Sequence, residues 1–376
     1  MVSNPLVYLF TLAFVATFFY LLETRTKSRI FKFIPSVVMI YAFVMALASF
    51  GTFEYNQEIN SIYKLTKTNL LPAMIFLMLL QVDMRLFFKL GNKLILSYIL
   101  AVISIGVGFI SVSFLFDFDT MMASAFGALS GSWMGGTANM VAVGSALEVS
   151  DEAFGYALIV DSFNYTIWVA LLLFLVPFAA VFNKFVGSKS VDVIVSDIGC
   201  ACTLGAKKYW LLIVLSLFAS FLAQFIATKL QIISSTTTIV ILATIFGVLG
   251  SFTKLRDING SSEVASSMLY MLIALIGSKA VFESFGGVGT YVLAGFIILI
   301  IHAFIMILGA KIFKLDLFSI SVASLSNIGG VASAPILAAT YNKSLVSIGV
   351  MMAIMGYIIG TFGGLMIGNI LIGFVQ

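Results

Sequence analysis

Ser130-Gly131-Ser132-Trp133-Met134-Gly135-Gly136-Thr137-Ala138 recurs, at an offset of 194, as Ser324-Leu325-Ser326-Asn327-Ile328-Gly329-Gly330-Val331-Ala332, the shared pattern being S-x-S-x-x-G-G-x-A. Without a gap the same offset pairs Ser150 with Ser344 and Gly155 with Gly349. Both copies lie inside long apolar runs, where a glycine pair frees backbone from helical geometry and polar neighbours facing lipid would be costly. The duplication predicts two interrupted membrane helices, broken at Gly135-Gly136 and Gly329-Gly330. In the second copy Pro335 removes an amide donor, so the helix should open between Ser326 and Pro335. Close helix packing through small residues is the alternative reading of the same glycines.

Outward from the first motif, apolar runs fall at about 5–22, 34–53, 69–82, 94–116, 121–147 and 153–182. A polar connector at 183–208 leads to further runs at about 209–228, 236–253, 263–282, 288–310, 317–340 and 344–374, so each motif occupies the fifth run of its half. The chain has 376 residues, 61% hydrophobic and 10% charged, with mean hydropathy +1.15. Soluble domains carry about 25% charged residues, so this is an integral protein of the lipid bilayer. A soluble enzyme, a nucleic-acid binder and a secreted disulfide scaffold are excluded. Cys200 and Cys202, one residue apart in the connector, read as ordinary thiols. The first run has no basic leader or cleavage site and continues into Glu23-Thr24-Arg25-Thr26-Lys27, which marks a retained helix rather than a signal peptide.

Lys and Arg positions set orientation. With the amino terminus outside, Arg25, Lys27, Arg29, Lys32, Arg85, Lys89 and Lys93 face the cytoplasm while Lys64 and Lys67 do not. Opposite orientation of the second half puts Lys207, Lys208, Lys254, Arg256, Lys311 and Lys314 inside, with Lys229, Lys279 and Lys343 outside. That gives 13 inside against 5 outside, whereas parallel halves give 10 against 8. The fold expected is therefore an all-α polytopic membrane protein of two inverted repeats, 1–182 and 209–376, each of about six helices. Six crossings return a chain to its starting side, and inversion needs an odd number. Either Val191 to Ala206, with Asp192 and Asp197, crosses, or one first-half run, such as 69–82, does not traverse.

Half-helices meeting at midplane offer positive amino ends and negative carboxyl ends, suited to an anionic solute and a coupling cation. The first copy adds Trp133, Thr137 and Asn139. Asp161 sits well inside the sixth run, and at helical spacing Asp161, Asn164, Tyr165 and Trp168 share one face that must turn toward protein or water. Its carboxylate could exchange protons, coordinate sodium with Asn and Ser oxygens, or serve a structural hydrogen-bond network. His302, the single histidine, could relay protons or bind solute, or be a neutral core residue bonded to a neighbour. Glu148, Asp151 and Glu152 read as a solvated cap at a cytoplasmic connection. No second histidine, phosphate-binding loop or clustered metal-ligand set points to an enzyme, a metal centre or a cofactor.

Ala128-Leu129-Ser130 through Asn139, Glu148-Val149-Ser150-Asp151-Glu152 and Ser326 through Pro335 resemble a bacterial integral membrane family known by a domain-of-unknown-function label, the YjcL-like proteins, over essentially the whole chain. More distantly, a break at Gly-Gly-Thr-Ala-Asn followed by a helix bearing polar groups is similar to the bile-acid sodium symporter and cation/proton antiporter superfamily. That resemblance implies a core (transport) domain, 69–182 with 263–376, and a panel (dimer) domain, 1–68 with 209–262. It further implies a multi-pass protein of the bacterial inner membrane and a homodimer. Carried over by position, Thr137, Asn139, Asn327 and Ser333 would meet ion or substrate and Asp161 the coupling ion; the reading of the residues themselves adds Ser132, Trp133 and His302 to the substrate side and Asn164 and Ser326 to the ion side. Ser162 follows Asp161, so the paired acids of the antiporters are missing. The expectation is a secondary transporter of a small organic anion coupled to Na+ or H+ by an elevator-like shift; a monovalent cation/proton antiporter without organic substrate is the alternative.

Overall fold

A computed structural model describes the chain except residues 27–34, 82–89, 189–204, 231–233, 259, 281–286 and 343–344. Cys200, Cys202, Asp192, Asp197 and the basic residues Lys27, Arg29, Lys32, Arg85, Lys89 and Lys343 lie outside the described residues. The helices in chain order are α1 Pro5–Thr26, α2 Ser36–Ser49, α3 Gln57–Leu80, α4 Asn92–Leu115, α5 Thr120–Gly135, α6 Thr137–Ala146, α7 Asp151–Leu175 and α8 Ala179–Val186. They continue as α9 Ala206–Leu230, α10 Ser235–Ser251, α11 Ser261–Gly277, α12 Val288–Phe313, α13 Leu317–Ile328, α14 Gly330–Tyr341 and α15 Val346–Gly373. Among the described residues no strand forms, and six helical spans are long and apolar enough to cross a membrane. The protein is an all-α polytopic membrane protein. Contacts divide it into two compact units, 1–81 with 148–162 and 203–288, and 82–147 with 163–202 and 289–376.

In the first unit, α3 runs unbroken through Pro72 from a polar beginning to a buried stretch, Leu71 to Leu80. Residues 69–80 of the short apolar run are therefore the second half of a continuous helix. Around the start of α7, Tyr63 donates to Asp151 at 3.0 Å, Lys67 pairs with the same carboxylate at 3.9 Å, and Tyr41 donates to the Asp151 carbonyl at 3.1 Å. Lys279 donates to Asn60 and lies over the Tyr55 ring, 4.1 Å from its centroid. Burial pushes the Lys279 ammonium below its usual range, an effect Asp151 opposes. Asp151 is thus a knot between helices rather than a solvated cap, because two cations and two phenols converge on it. The expectation of a cytoplasmic Asp151 and an external Lys67 fails at the same point, since their side chains touch.

In the second unit, each fifth run doubles back on itself. Gly131 of α5 lies against the Asn139 carbonyl and Val143 of α6, and Gly127 against Leu147. The rings of Phe318 on α13 and Tyr341 on α14 meet edge-on at 5.4 Å between centroids. Both runs are helical hairpins that leave on the side they entered, and neither is a crossing. The hairpins are also entered alike. Asp117 and Lys314 take positive φ values of 47° and 53°, the next amide bonds back to Ser113 and Ala310, and Asp119 and Asp316 then cap α5 and α13 through Met122 and Ser319. Along α15, Gly356, Gly360, Gly364 and Gly368 face Gly135, Gly131 and Gly127 of α5. A Cβ at Gly364 would fall 2.7 Å from the Gly131 Cα, so the helices pack backbone to backbone.

Candidate functional site

The hairpin tips are where the sequence placed the breaks. Gly136 sits at φ 89° and Gly330 at φ 60°, conformations that a side chain would strain. Helix α5 stops at Gly135 and α6 restarts at Thr137; α13 stops at Ile328 and α14 restarts at Gly330. The tips approach each other, since a Cβ built on Gly330 would lie 3.9 Å from the Gly136 Cα. Two helix amino ends, each carrying unpaired N–H groups and a partial positive charge, therefore converge at one place. Pro335 lies inside α14 and offers no N–H to the Val331 carbonyl. No charged residue occurs in 130–140 or 324–336.

Four buried polar side chains near the second tip are unspent. Asn327 donates to the Ala323 carbonyl at 2.9 Å, but among the described residues its Oδ1 has no partner, and neither has Ser326 Oγ or Ser333 Oγ. Asn164 donates to the Val292 carbonyl at 3.2 Å and leaves its Oδ1 unmatched. Asn164 reaches the level of this tip because α7 runs antiparallel to α13: Trp168 bonds Ser324 and Tyr165 packs on Gly329. Each orphaned group costs about 1–3 kcal/mol. A fold retains such a cluster where a ligand or ion completes it.

Other predicted residues are already committed. Asn139 donates to the carbonyls of Gly135 and Gly356, both at 3.0 Å, and accepts from Thr361 at 2.8 Å. It braces the first break and does not present its amide to a ligand. Thr361 and Gly356 had no signal in the sequence beyond a polar residue within a glycine-rich run. Trp133 is fully buried against Phe109, 5.6 Å between ring centroids, within an aromatic cluster. Ser132 is buried with its carbonyl accepting from Gly136, while Thr137 is half-buried at the amino end of α6.

His302 is held between two serines. Ser104 donates to the Ala101 carbonyl at 2.9 Å, and with its proton placed there its oxygen accepts from His302 Nδ1–H at 2.7 Å. Trp168 Nε1–H donates to Ser324 at 2.9 Å, and Ser324 then donates to His302 Nε2 at 2.8 Å. Both imidazole nitrogens are thus hydrogen-bonded to side chains of the protein. The predicted polar face of α7 is otherwise as drawn: Asn164 and Trp168 are buried and Asp161 and Tyr165 half-buried, while Phe163, Ile167 and Leu171 point outward. Asp161 is engaged with a neighbour and groups with the first unit. Among the described residues no cluster of three His, Cys, Asp or Glu could hold a metal ion.

A family model described as Protein of unknown function (DUF819) matches residues 10–374. The chain is also similar to the "Uncharacterized membrane protein YjcL" of Bacillus subtilis (strain 168), at 24% identity over 335 residues, 82% of this chain and 83% of the relative.

Proposed function

We propose, from the premise that the chain belongs to the DUF819 family, that it is a secondary active transporter and not an enzyme, carrying a small organic anion across the bacterial inner membrane. The observation that carries this reading is the meeting of two hairpin tips at which helix amino ends and orphaned oxygens occur together. The amino ends suit a carboxylate, in a region without a basic side chain. The neutral oxygens of Ser326, Asn327, Ser333 and Asn164 suit a hard monovalent cation such as Na+, the expected coupling ion. Thr137 joins the solute side, and Asn139 acts as a positioning residue. Asp161 is the carboxylate set farthest into a described helix, and in this reading it carries the coupled charge or proton. The fold-back of both fifth runs takes one crossing out of each half, which would let halves of six apolar runs be inverted. An elevator-like movement of the hairpin unit within a homodimer would complete the cycle.

Proteoliposome uptake under imposed Na+ and H+ gradients tests the proposal. Solute accumulation should follow one of the gradients, and Asp161→Asn should lower gradient-driven uptake at least tenfold, about 1.4 kcal/mol. Uptake indifferent to both gradients and to the substitution would end the coupling reading. The oxygen-only set also fits a bare cation site, which favours one second reading, a monovalent cation/proton antiporter. A pH-sensitive dye responding to Na+ or K+ with no organic compound present would identify it.

A further inference from the structure

A slot of about 230 Å³ lies under the first arm of the second hairpin, walled by Trp168, Leu172, Phe178, Phe182, Met306 and Leu317. Its polar groups are His302, Ser321 and Ser324, and the first and last are spent in the relay. At its mouth Leu171, Phe178 and Ile307 are 41%, 47% and 46% exposed, on spans apolar enough to cross a membrane. Water would find few partners there, and an apolar cavity of only ~150 Å³ stays dry and takes up benzene. Hydrocarbon is the matching occupant.

One end of the slot is basic. Lys311 stands one helical turn beyond Ile307, Lys314 three residues before Leu317 and Lys184 two residues after Phe182, and all three are exposed. Lys311 also donates to the Phe185 carbonyl and lies 4.5 Å from the centre of its ring, tying α8 to α12. The nearby acid, Asp316, is fully buried and occupied in capping α13 through Ser319. An apolar slot with cations at its interfacial end is complementary to a lipid that has an acyl chain and a negative headgroup.

We propose that this slot binds one acyl chain of an anionic phospholipid, with Lys184, Lys311 and Lys314 meeting its headgroup. Such a lipid bears on the hairpin, because Asn183 of α8 accepts from the Leu317 amide, at 2.9 Å, where the arm carrying Ser326 and Asn327 begins. The site is separate from the transport reading and its test uses no solute.

The full chain is reconstituted in phosphatidylcholine with and without phosphatidylglycerol, and retained lipid is measured by native mass spectrometry alongside Tm. Phosphatidylglycerol should be retained at least tenfold above its bulk share, within the roughly hundredfold that three interfacial lysines imply, and should raise Tm. Replacing the three lysines together by Gln should abolish that enrichment while lipid is still retained. Ala303→Phe, which fills the slot, should lose retained lipid of either headgroup. No enrichment in the natural chain, or enrichment surviving the lysine replacement, overturns the headgroup assignment. Undiminished retention in Ala303→Phe overturns the slot.

Discussion

Asn139 and Asn327 flank the two glycine doublets with the same amide and opposite fates. Every polar atom of Asn139 ties the first break to α15 or to its own tip, whereas Asn327 keeps an unmatched oxygen. Asn139→Ala should therefore lower stability by about 1–3 kcal/mol by stranding buried carbonyls, read as Tm in detergent. Ser326→Ala and Ser333→Ala remove orphans instead. They should leave Tm unchanged or raised while gradient-driven uptake falls, the exchange of function for stability expected at a binding site; intact uptake with a lower Tm would contradict that role. With Ser104 donating to Ala101 and Ser324 to the ring, the relay predicts the Nδ1–H tautomer for His302. The chain has one histidine, so nitrogen NMR of labelled imidazole reads this from a single residue, and an Nε2–H form would refute the assignment.

At the scale of elements, the sequence located both breaks to the residue because glycine doublets act locally, whereas Pro335 lies inside α14. It did not reveal that the arms fold back. A glycine pair says that a helix stops; which way the chain then runs depends on the surfaces the two arms offer each other, such as Gly131 against the Asn139 carbonyl. Cysteines introduced at Lys314 and Asn342, both exposed ends of the second hairpin, should be labelled from the same side of the membrane once Cys200 and Cys202 are removed. Labelling from opposite sides would restore a crossing. The glycine stripe of α15 is a packing surface. Gly364→Ala places a methyl against the Gly131 backbone and should cost about 1–3 kcal/mol by overpacking, measured as a lower Tm; an unchanged Tm would show the contact to be slack.

For the whole molecule, composition and hydropathy determined a helical membrane protein, since an exposed backbone in hydrocarbon must satisfy itself within each helix. The duplicated motif placed the two interruptions, and α7's spacing predicted which of its faces is covered. Tertiary structure decided what those positions do. Ser104 and His302 meet across 198 residues and Asn139 and Gly356 across 217, so whether a buried side chain is spent or available was fixed by partners no local pattern could name. Asp151 was misread for the same reason, as its cations and phenols come from distant helices. Element type and break position follow from near-neighbour chemistry along the chain. The saturation of each polar group, and with it the candidate site, follows from which helices pack together.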